Sequence, residues 1–284
     1  MKKQKMNLEI ALNTLAFNGY SWEIALNEIA ELGVQFIEPV YISKYNPQLK
    51  EAHFTQTNAR KISSQIEKTG LKVRSLASHM DMGLADSVYV FQKRMEFAKN
   101  LGAEIILTNS SHIENEREFF INMEVLARSA EQLKLKIGLE NPGDGHNYIM
   151  NNASEGAAIL VKFPSEWVTL NYDFSNIHTL TKGRNTYDNG LEKALPHIAH
   201  LHLKNVKQRN GHWLICGLEE GIINYKKIFR KYPALWNVPM SIELPVRFEY
   251  DKNFDFMPQN RKLPSLERIH KILYDSIIYL ENLF

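Results

Sequence analysis

The chain has 284 residues, 44% hydrophobic and 23% charged, which is enough for one large core. Its net charge of +2 is the balance of 34 basic and 32 acidic residues, so the composition gives no sign of a nucleic-acid partner. The basic residues Lys2, Lys3 and Lys5 are followed by Glu9, which interrupts any signal-peptide core, and no stretch approaches the ~20 apolar residues of a membrane span. Cys216 is the single cysteine and cannot form an internal disulfide. We therefore expect a soluble cytoplasmic protein without a membrane partner, in which Cys216 is structural.

Strand and helix patterns alternate along the chain. Short apolar runs predict eight strands, at Leu8–Leu12, Val34–Ile37, Lys72–Leu76, Glu104–Leu107, Lys136–Leu139, Trp167–Leu170, Ile198–Leu203 and Pro239–Leu244. Amphipathic spacing predicts helices between and after them, at Ser21–Gly33, Phe54–Thr69, Ser87–Leu101, Arg117–Leu133, Ser154–Lys162, Asn189–Leu195, Tyr225–Tyr232 and Ser265–Leu283.

This alternation implies parallel strands joined by helical crossovers. Eight such units in a chain of this length favour closure into a (β/α)8 TIM barrel, an α/β fold. No GxGxxG follows the first strand, and no linker rich in Pro, Gly or Ser divides the sequence. We predict a single domain over residues 1–284, with its chemistry at the carboxyl ends of the strands.

Four consecutive strands each end in a residue that could bind a metal ion. These residues are Glu140, Asp173, His202 and Glu243, separated by 33, 29 and 41 residues, about one strand and helix each time. One carboxylate at a strand end is usually a helix cap or an ion-pair partner, but four such residues in succession would converge on one side of the barrel mouth. Three carboxylates and an imidazole would repel one another without a cation, so we expect a divalent metal ion.

The order GLEN, DFSN, HLHLKN and IEL resembles the xylose isomerase-like barrel superfamily, in particular its sugar-phosphate isomerase and epimerase branch. In that family the second histidine of HxHxK is a metal ligand, which corresponds to His202. Matching the other motifs makes Glu140, Asp173 and Glu243 the remaining ligands. In the epimerase relatives the two glutamates are also the catalytic acid and base, which implies that role for Glu140 and Glu243.

The segment HIAHLHLKN places His200, His202 and Lys204 on one face of a strand. Two residues of strand separate the two histidines by ~6.6 Å along the strand, so both cannot serve one metal ion equally well. We assign His202 to the metal ion and His200 to a hydrogen-bonded interior position. Lys204 is expected at the rim, where it either meets the substrate, as in relatives, or is simply solvated.

This ligand set, rich in oxygen with one imidazole, suits Mn²⁺, which we prefer over Mg²⁺, Co²⁺ and Zn²⁺. A bound cation polarises the carbonyl of a hydroxyketone, so a nearby carboxylate can remove the adjacent proton to give an enediolate. The predicted function is therefore a metal-dependent isomerase or epimerase of a small sugar, sugar phosphate or cyclitol, in carbohydrate metabolism. The sequence does not identify the substrate. Relatives are often oligomers, but the sequence pattern indicates no interface of a homo-oligomer.

Four further residues are candidates for substrate contact. His79 follows the third strand and His112 the fourth, where relatives place substrate or metal residues. His178 lies five residues after Asp173 and is either a substrate contact or a loop or capping histidine. Glu38 ends the second strand and either corresponds to a recurrent family glutamate or is a polar partner that closes the barrel.

Other activities use the same fold. A dehydroshikimate or inosose dehydratase would share the ligands but expel a hydroxyl group, so it stays open as an alternative. An apurinic-site endonuclease would need further histidines, but Asn176 stands three residues after Asp173 and the segment around His212 has no Asp-x-His. A barrel that binds sugar without turnover is disfavoured because all four ligands are present.

Overall fold

The structure is a computed structural model that describes residues 9–144, 146–163, 165–184, 186–259 and 262–283. Lys2, Lys3, Lys5 and Leu8 lie outside this part of the chain. The strands are β1 Ile10–Asn13, β2 Phe36–Glu38, β3 Lys72–Val73, β4 Ser75–Ala77, β5 Ile105–Asn109, β6 Lys136–Glu140, β7 Val168–Asp173, β8 Ile198–Leu203, β9 Asn205–Arg209, β10 His212–Cys216, β11 Met240–Ile242, β12 Phe248–Tyr250 and β13 Phe256–Pro258.

Helices follow most strands of the barrel. They are α1 Trp22–Glu31, α2 Gln56–Lys68, α3 Ser87–Asn100, α4 Glu116–Leu133, α5 Ala153–Lys162, α6 Phe174–Leu180, α7 Leu191–Ala194, α8 Tyr225–Lys231 and α9 Leu266–Asn282. Short 3-10 turns occupy Thr14–Phe17, Glu51–His53, Ile113–Asn115, Leu195–His197 and Pro233–Asn237. In α4 the fully buried residues Phe119, Met123, Leu126 and Ala130 recur every three or four positions, so one helix face packs on the barrel.

The parallel strands form a nearly closed (β/α)8 TIM barrel, as predicted. Their order is β3-β2-β1-β11-β8-β7-β6-β5-β4. The third strand position is split, because β3 pairs with β2 whereas β4, on the other side of Arg74, pairs with β5. A parallel bridge between Val40 and Ala77 spans this gap.

The strand register brings the predicted ligands to one level. Asp173 is paired with His202 between β7 and β8. Glu140 is paired with Asn171 between β6 and β7. Glu243 follows β11, and its backbone N–H donates to the carbonyl of Leu203 (3.0 Å). The strands therefore end together around one mouth, which is where a TIM barrel carries its site.

Two features were not predicted. Helix α6 begins at Phe174, directly after Asp173. A second, antiparallel sheet of β13-β12-β10-β9 follows β8 and β11. The segment 248–258 therefore contains two strands, β12 and β13. Within the described ranges, no helix is long and apolar enough to cross a membrane.

Candidate metal and active site

The four predicted ligands converge at the barrel mouth. Glu140, Asp173, His202 and Glu243 each offer one ligand atom, and these atoms all lie within 4.8 Å of one another. His202 Nδ1 is 3.0 Å from Glu140 Oε2 and 3.6 Å from Glu243 Oε2. All four side chains are buried, although they come from four different strand ends.

Asp173 is fixed by the start of α6. Its Oδ1 accepts the backbone N–H groups of Ser175 (2.7 Å) and Asn176 (3.0 Å), so the carboxylate caps the helix. Asn141 donates to the carbonyl of Asp173 (2.8 Å) and accepts from its N–H (2.9 Å). The second oxygen, Oδ2, is left to face the other ligands. Burial raises the pKa of Asp173 to about 6, although Lys204 acts against this shift.

Glu140 is surrounded by donors. Asn171 donates to Oε2 (2.8 Å) and Asn176 donates to Oε1 (3.1 Å). His79 Nε2 lies 3.3 Å from Oε2. Burial alone would raise the pKa of Glu140, but His202 and His79 hold it well below its usual value. Glu140 is therefore kept as a carboxylate with a fixed orientation.

Lys204 is not a solvated rim lysine. It is only 5% exposed, and its Nζ lies 2.8 Å from Asp173 Oδ2 and 3.1 Å from Glu243 Oε2. Burial disfavours the charged form, yet Asp173 and Glu243 raise the pKa of Lys204 well above its usual value. The ammonium group thus neutralises part of the negative charge of Asp173 and Glu243. The expectation of a simply solvated Lys204 is wrong.

His202 stands between two sets of carboxylates. Its Nε2 is 2.8 Å from Glu38 Oε1, and its Nδ1 faces Glu140 and Glu243. Burial would lower the pKa of His202, but Glu140, Glu38 and Glu243 raise it well above its usual value. The surroundings of Nδ1 therefore favour a positive charge, whether a proton or a metal ion supplies it.

The donor set fits a divalent metal ion. An ion bound at ~2.1–2.2 Å separates its ligand atoms by at most about 4.2–4.4 Å, and the four ligand atoms here all lie within 4.8 Å of one another, with His202 Nδ1 at 3.0 Å from Glu140 Oε2 and 3.6 Å from Glu243 Oε2. With a neutral imidazole, the three carboxylates and Lys204 leave an excess of two negative charges. The residues could thus hold a cation, and three carboxylates with one imidazole match an oxygen-preferring metal.

Glu38 and His200 lie beneath this cluster. Glu38 accepts from Asn13 Nδ2 (2.6 Å) and from the hydroxyl of Ser75. Burial would raise the pKa of Glu38, but His202 and His200 lower it to about 2. His200 Nδ1 is bonded to Asn171 Oδ1 (2.9 Å), and burial lowers the pKa of His200 to about 4. His200 therefore occupies the interior, hydrogen-bonded position that the strand pattern predicts.

A cavity of about 270 Å³ opens above the cluster. Glu140, Glu243 and Lys204 line its inner end, and Asn176 and His79 stand beside them. The rest of the lining includes hydrogen-bonding groups from Asp81, Asp144, His112, Tyr148 and Lys44, and the aromatic side chains of Tyr45, Tyr250 and Phe256. The volume lies just below the ~300 Å³ at which ordinary ligand pockets begin, so it suits a small molecule.

The candidate substrate residues fall into two groups. His79, His112 and Lys204 line the cavity, and the His112 ring stacks on Tyr148 with centroids 4.5 Å apart. His178 and Glu38 are not among the lining residues. The His178 ring packs edge-on against Trp213 (4.6 Å), and Glu38 is fully buried below His202, so neither position fits substrate contact.

Sequence reasoning missed the asparagines of the site. Asn171 lies two residues before Asp173 on the same strand, so the period of two that places Asp173 at the centre also places Asn171 there. Asn176 was considered only as a position where a nuclease would need a histidine. In the structure its side chain donates a hydrogen bond to Glu140. Asp81 and Tyr148 lie in loops, and no sequence signal pointed to them.

Comparison with known families identifies the fold family. The sequence model of the xylose isomerase-like TIM barrel family matches residues 26–259, most of the chain. The chain belongs to the xylose isomerase-like TIM barrel family. The match extends across Glu38, Glu140, Asp173, His202 and Glu243. No protein of curated function matches the sequence.

Solved structures of sugar-modifying enzymes share this xylose isomerase-like fold. A D-psicose 3-epimerase from Clostridium cellulolyticum H10, solved with D-tagatose, has a TM-score of 0.73 at 11% identity, over 97% of this chain and 99% of that one. The 3-keto-D-glucoside 4-epimerase of E. coli has a TM-score of 0.68 at 13% identity, covering 97% and 99%. The probable 3-DHS dehydratase of petrobactin synthesis from Bacillus anthracis has a TM-score of 0.68 at 16% identity, covering 96% and 98%. At these identities the likeness shows the fold.

Proposed function

We propose that this protein is a divalent-metal-dependent isomerase or epimerase of a small carbohydrate-like hydroxyketone. The observation that carries the proposal is that Glu140 and Glu243 line one cavity and both face His202 Nδ1, at 3.0 and 3.6 Å. Two strands, β7 and β8, separate the strands from which they come. A substrate between them would have one carboxylate on each side. The epimerases of the same fold support this reaction class.

Glu140, Asp173, His202 and Glu243 would hold the metal ion. When bound, the cation supplies Lewis-acid polarisation of the substrate carbonyl. We favour Mn²⁺, with Mg²⁺, Co²⁺ and Zn²⁺ as alternatives, because three of the four ligands are carboxylates.

The proposed reaction transfers two protons, one to the first glutamate and one from the second. One glutamate takes the proton from the carbon beside the carbonyl, and the electron pair of that C–H bond forms the double bond of an enediolate. The other glutamate, protonated, returns a proton to the opposite face or to the neighbouring carbon. The first outcome inverts a stereocentre. The second moves the carbonyl, with the proton of the adjacent hydroxyl group passing to the former carbonyl oxygen.

The rest of the cavity lining supports a polyhydroxylated substrate. Asp81 and Asp144 offer acceptors for hydroxyl groups, and Lys44 and His112 offer donors. The aromatic rings of Tyr45 and Phe256 offer apolar surfaces that suit the C–H faces of a sugar. The cavity volume of about 270 Å³ favours a substrate the size of a monosaccharide or cyclitol.

Exchange with D₂O tests this proposal. We expect the metal-loaded protein to incorporate deuterium at one carbon of a suitable ketose, seen by NMR. Glu140→Gln and Glu243→Gln should each lower that rate by at least about 10²–10⁴-fold, since each removes a group that transfers a proton and also a ligand of the metal ion. Glu131→Gln, an exposed change at the end of α4, is the control and should exchange like the parent. A metal-loaded protein that exchanges no carbon-bound proton in any hydroxyketone of a broad panel would contradict the proposal.

A dehydratase is a second candidate because of Lys204. Its ammonium group lines the cavity 3.1 Å from Glu243 Oε2, where it can donate a proton to a departing hydroxyl group. The probable 3-DHS dehydratase of the same fold supports this alternative. Formation of an unsaturated carbonyl product, followed by its ultraviolet absorbance, would favour the dehydratase over the epimerase.

A further inference from the structure

Glu38 connects four strands of the barrel through buried hydrogen bonds. It lies at the end of β2, is fully buried, and reaches across the barrel to His202 on β8. Asn13 donates to Oε1 at 2.6 Å, and Ser75 donates to Oε2. A carboxylate so far from water is expensive unless its oxygens are satisfied. Here Asn13 and Ser75 fix its plane, and one oxygen is aimed at His202 Nε2.

The hydrogen bonds around Asn171 define which ring nitrogen of His202 carries the proton. Asn171 Nδ2 donates to Glu140 Oε2 (2.8 Å), and the opposite amide orientation would bring two oxygens together. The same Nδ2 lies 3.1 Å from His202 Nδ1, so its second hydrogen has an acceptor there when Nδ1 carries the lone pair. His200 Nδ1 bonds Asn171 Oδ1 on the other side (2.9 Å) and supports this orientation. When His202 is neutral, its proton therefore lies on Nε2 and points to Glu38.

We propose that Glu38 is a positioning residue that holds the proton of His202 on Nε2, so that the lone pair of Nδ1 faces Glu140, Asp173 and Glu243. This inference rests on the proposed metal site and deepens it. It reassigns Glu38 from a substrate contact to a support of one ligand. A carboxylate that accepts the N–H of a ligating histidine fixes the ring and strengthens its donor nitrogen.

Metal affinity of the Glu38→Gln variant tests the proposal. The amide keeps the shape, and its oxygen can still accept from Asn13 and His202, but it lacks the negative charge that strengthens the bond to His202 Nε2, and its NH2 group cannot accept from Ser75. We expect Mn²⁺ to bind about 10–100-fold more weakly by calorimetry, with a changed visible spectrum of the Co²⁺ form. Glu131→Gln, the same chemical change on an exposed helix end, should bind like the parent. A folded Glu38→Gln protein with the parent's affinity and Co²⁺ spectrum would overturn the proposal.

The parent protein provides a second test that needs no folded Glu38 variant. In the Zn²⁺-loaded protein labelled with ¹⁵N-histidine, the His202 ring, assigned by its loss in His202→Gln, should carry its proton on Nε2. A proton on Nδ1 would overturn the role of Glu38. If the parent binds no divalent ion, the proposed function fails. If the parent binds the ion tightly and the Glu38→Gln variant binds it equally well, only the role of Glu38 fails.

Discussion

The polar side chains of β8 take two different roles although they share one face. The His200 and His202 rings are 5.5 Å apart, and only His202 reaches the carboxylates of the mouth. The period of two in HLHLK was sufficient to predict this division. It was not sufficient for Lys204, because the chain beyond a strand end depends on its neighbours. Ion pairs with Asp173 and Glu243 hold the Lys204 ammonium group in a buried position at the barrel mouth.

Replacing Lys204 by methionine should destabilise the metal-free protein. The change removes the positive partner of two buried carboxylates, and the loss of one member of a buried ion pair costs about 3–5 kcal/mol. We expect that loss in urea unfolding with a chelator present, and a smaller loss with Mn²⁺, whose charge would compensate the same carboxylates.

Lys207→Met is the matched control, because Lys207 pairs with Glu220 at the surface. Exposed ion pairs of this kind contribute about 0–1 kcal/mol. Equal stability of the two variants without metal would show that Lys204 does not compensate the cluster.

At the scale of elements, hydrophobic periodicity predicted the barrel strands and the helices around them to within a few residues. It missed the break at Arg74, because β3 and β4 have two and three residues and show no period of their own. Helix α6 was missed because Asp173 both ends β7 and caps the helix, with no loop between them. The antiparallel sheet had one readable signal: Asn210 and Gly211, both at positive φ, join β9 to β10 as a hairpin turn.

The antiparallel sheet should contribute to substrate binding through Phe256. This side chain lines the cavity and stacks on Phe248, with ring centroids 4.9 Å apart. Phe256→Ala should raise KM about 2- to 10-fold, the equivalent of about 0.5–1.5 kcal/mol of aromatic contact. The affinity of the Phe256→Ala variant for Mn²⁺ should equal that of the parent, because Phe256 is not part of the ligand cluster.

Met257→Ala is the control on the same strand, since Met257 is 43% exposed and does not line the cavity. Steady-state kinetics on whichever ketose shows exchange would provide both KM values. Equal KM values for the two variants would remove the antiparallel sheet from the binding site.

At the scale of the whole molecule, barrel closure converts four separate strand ends into one site. Glu140 and Glu243 are 103 positions apart in the sequence, yet both face His202 because β6, β7, β8 and β11 are neighbours in the barrel. The alternation of strands and helices was enough to predict that convergence. It could not predict the contact between Glu38 and His202, which spans 164 residues and crosses the barrel interior. The single-domain organisation over residues 1–284 stays a prediction.

The metal content of the purified protein shows whether the four ligands hold one divalent ion. Mass spectrometry on protein prepared without chelators should find about one divalent ion per chain in the parent. Glu140→Gln and His202→Ala should lose most of it, because each removes one of the four ligands. Three zinc ions per chain would favour a nuclease. No bound ion in the parent, even after incubation with Mn²⁺, Mg²⁺, Co²⁺ and Zn²⁺, would contradict the account.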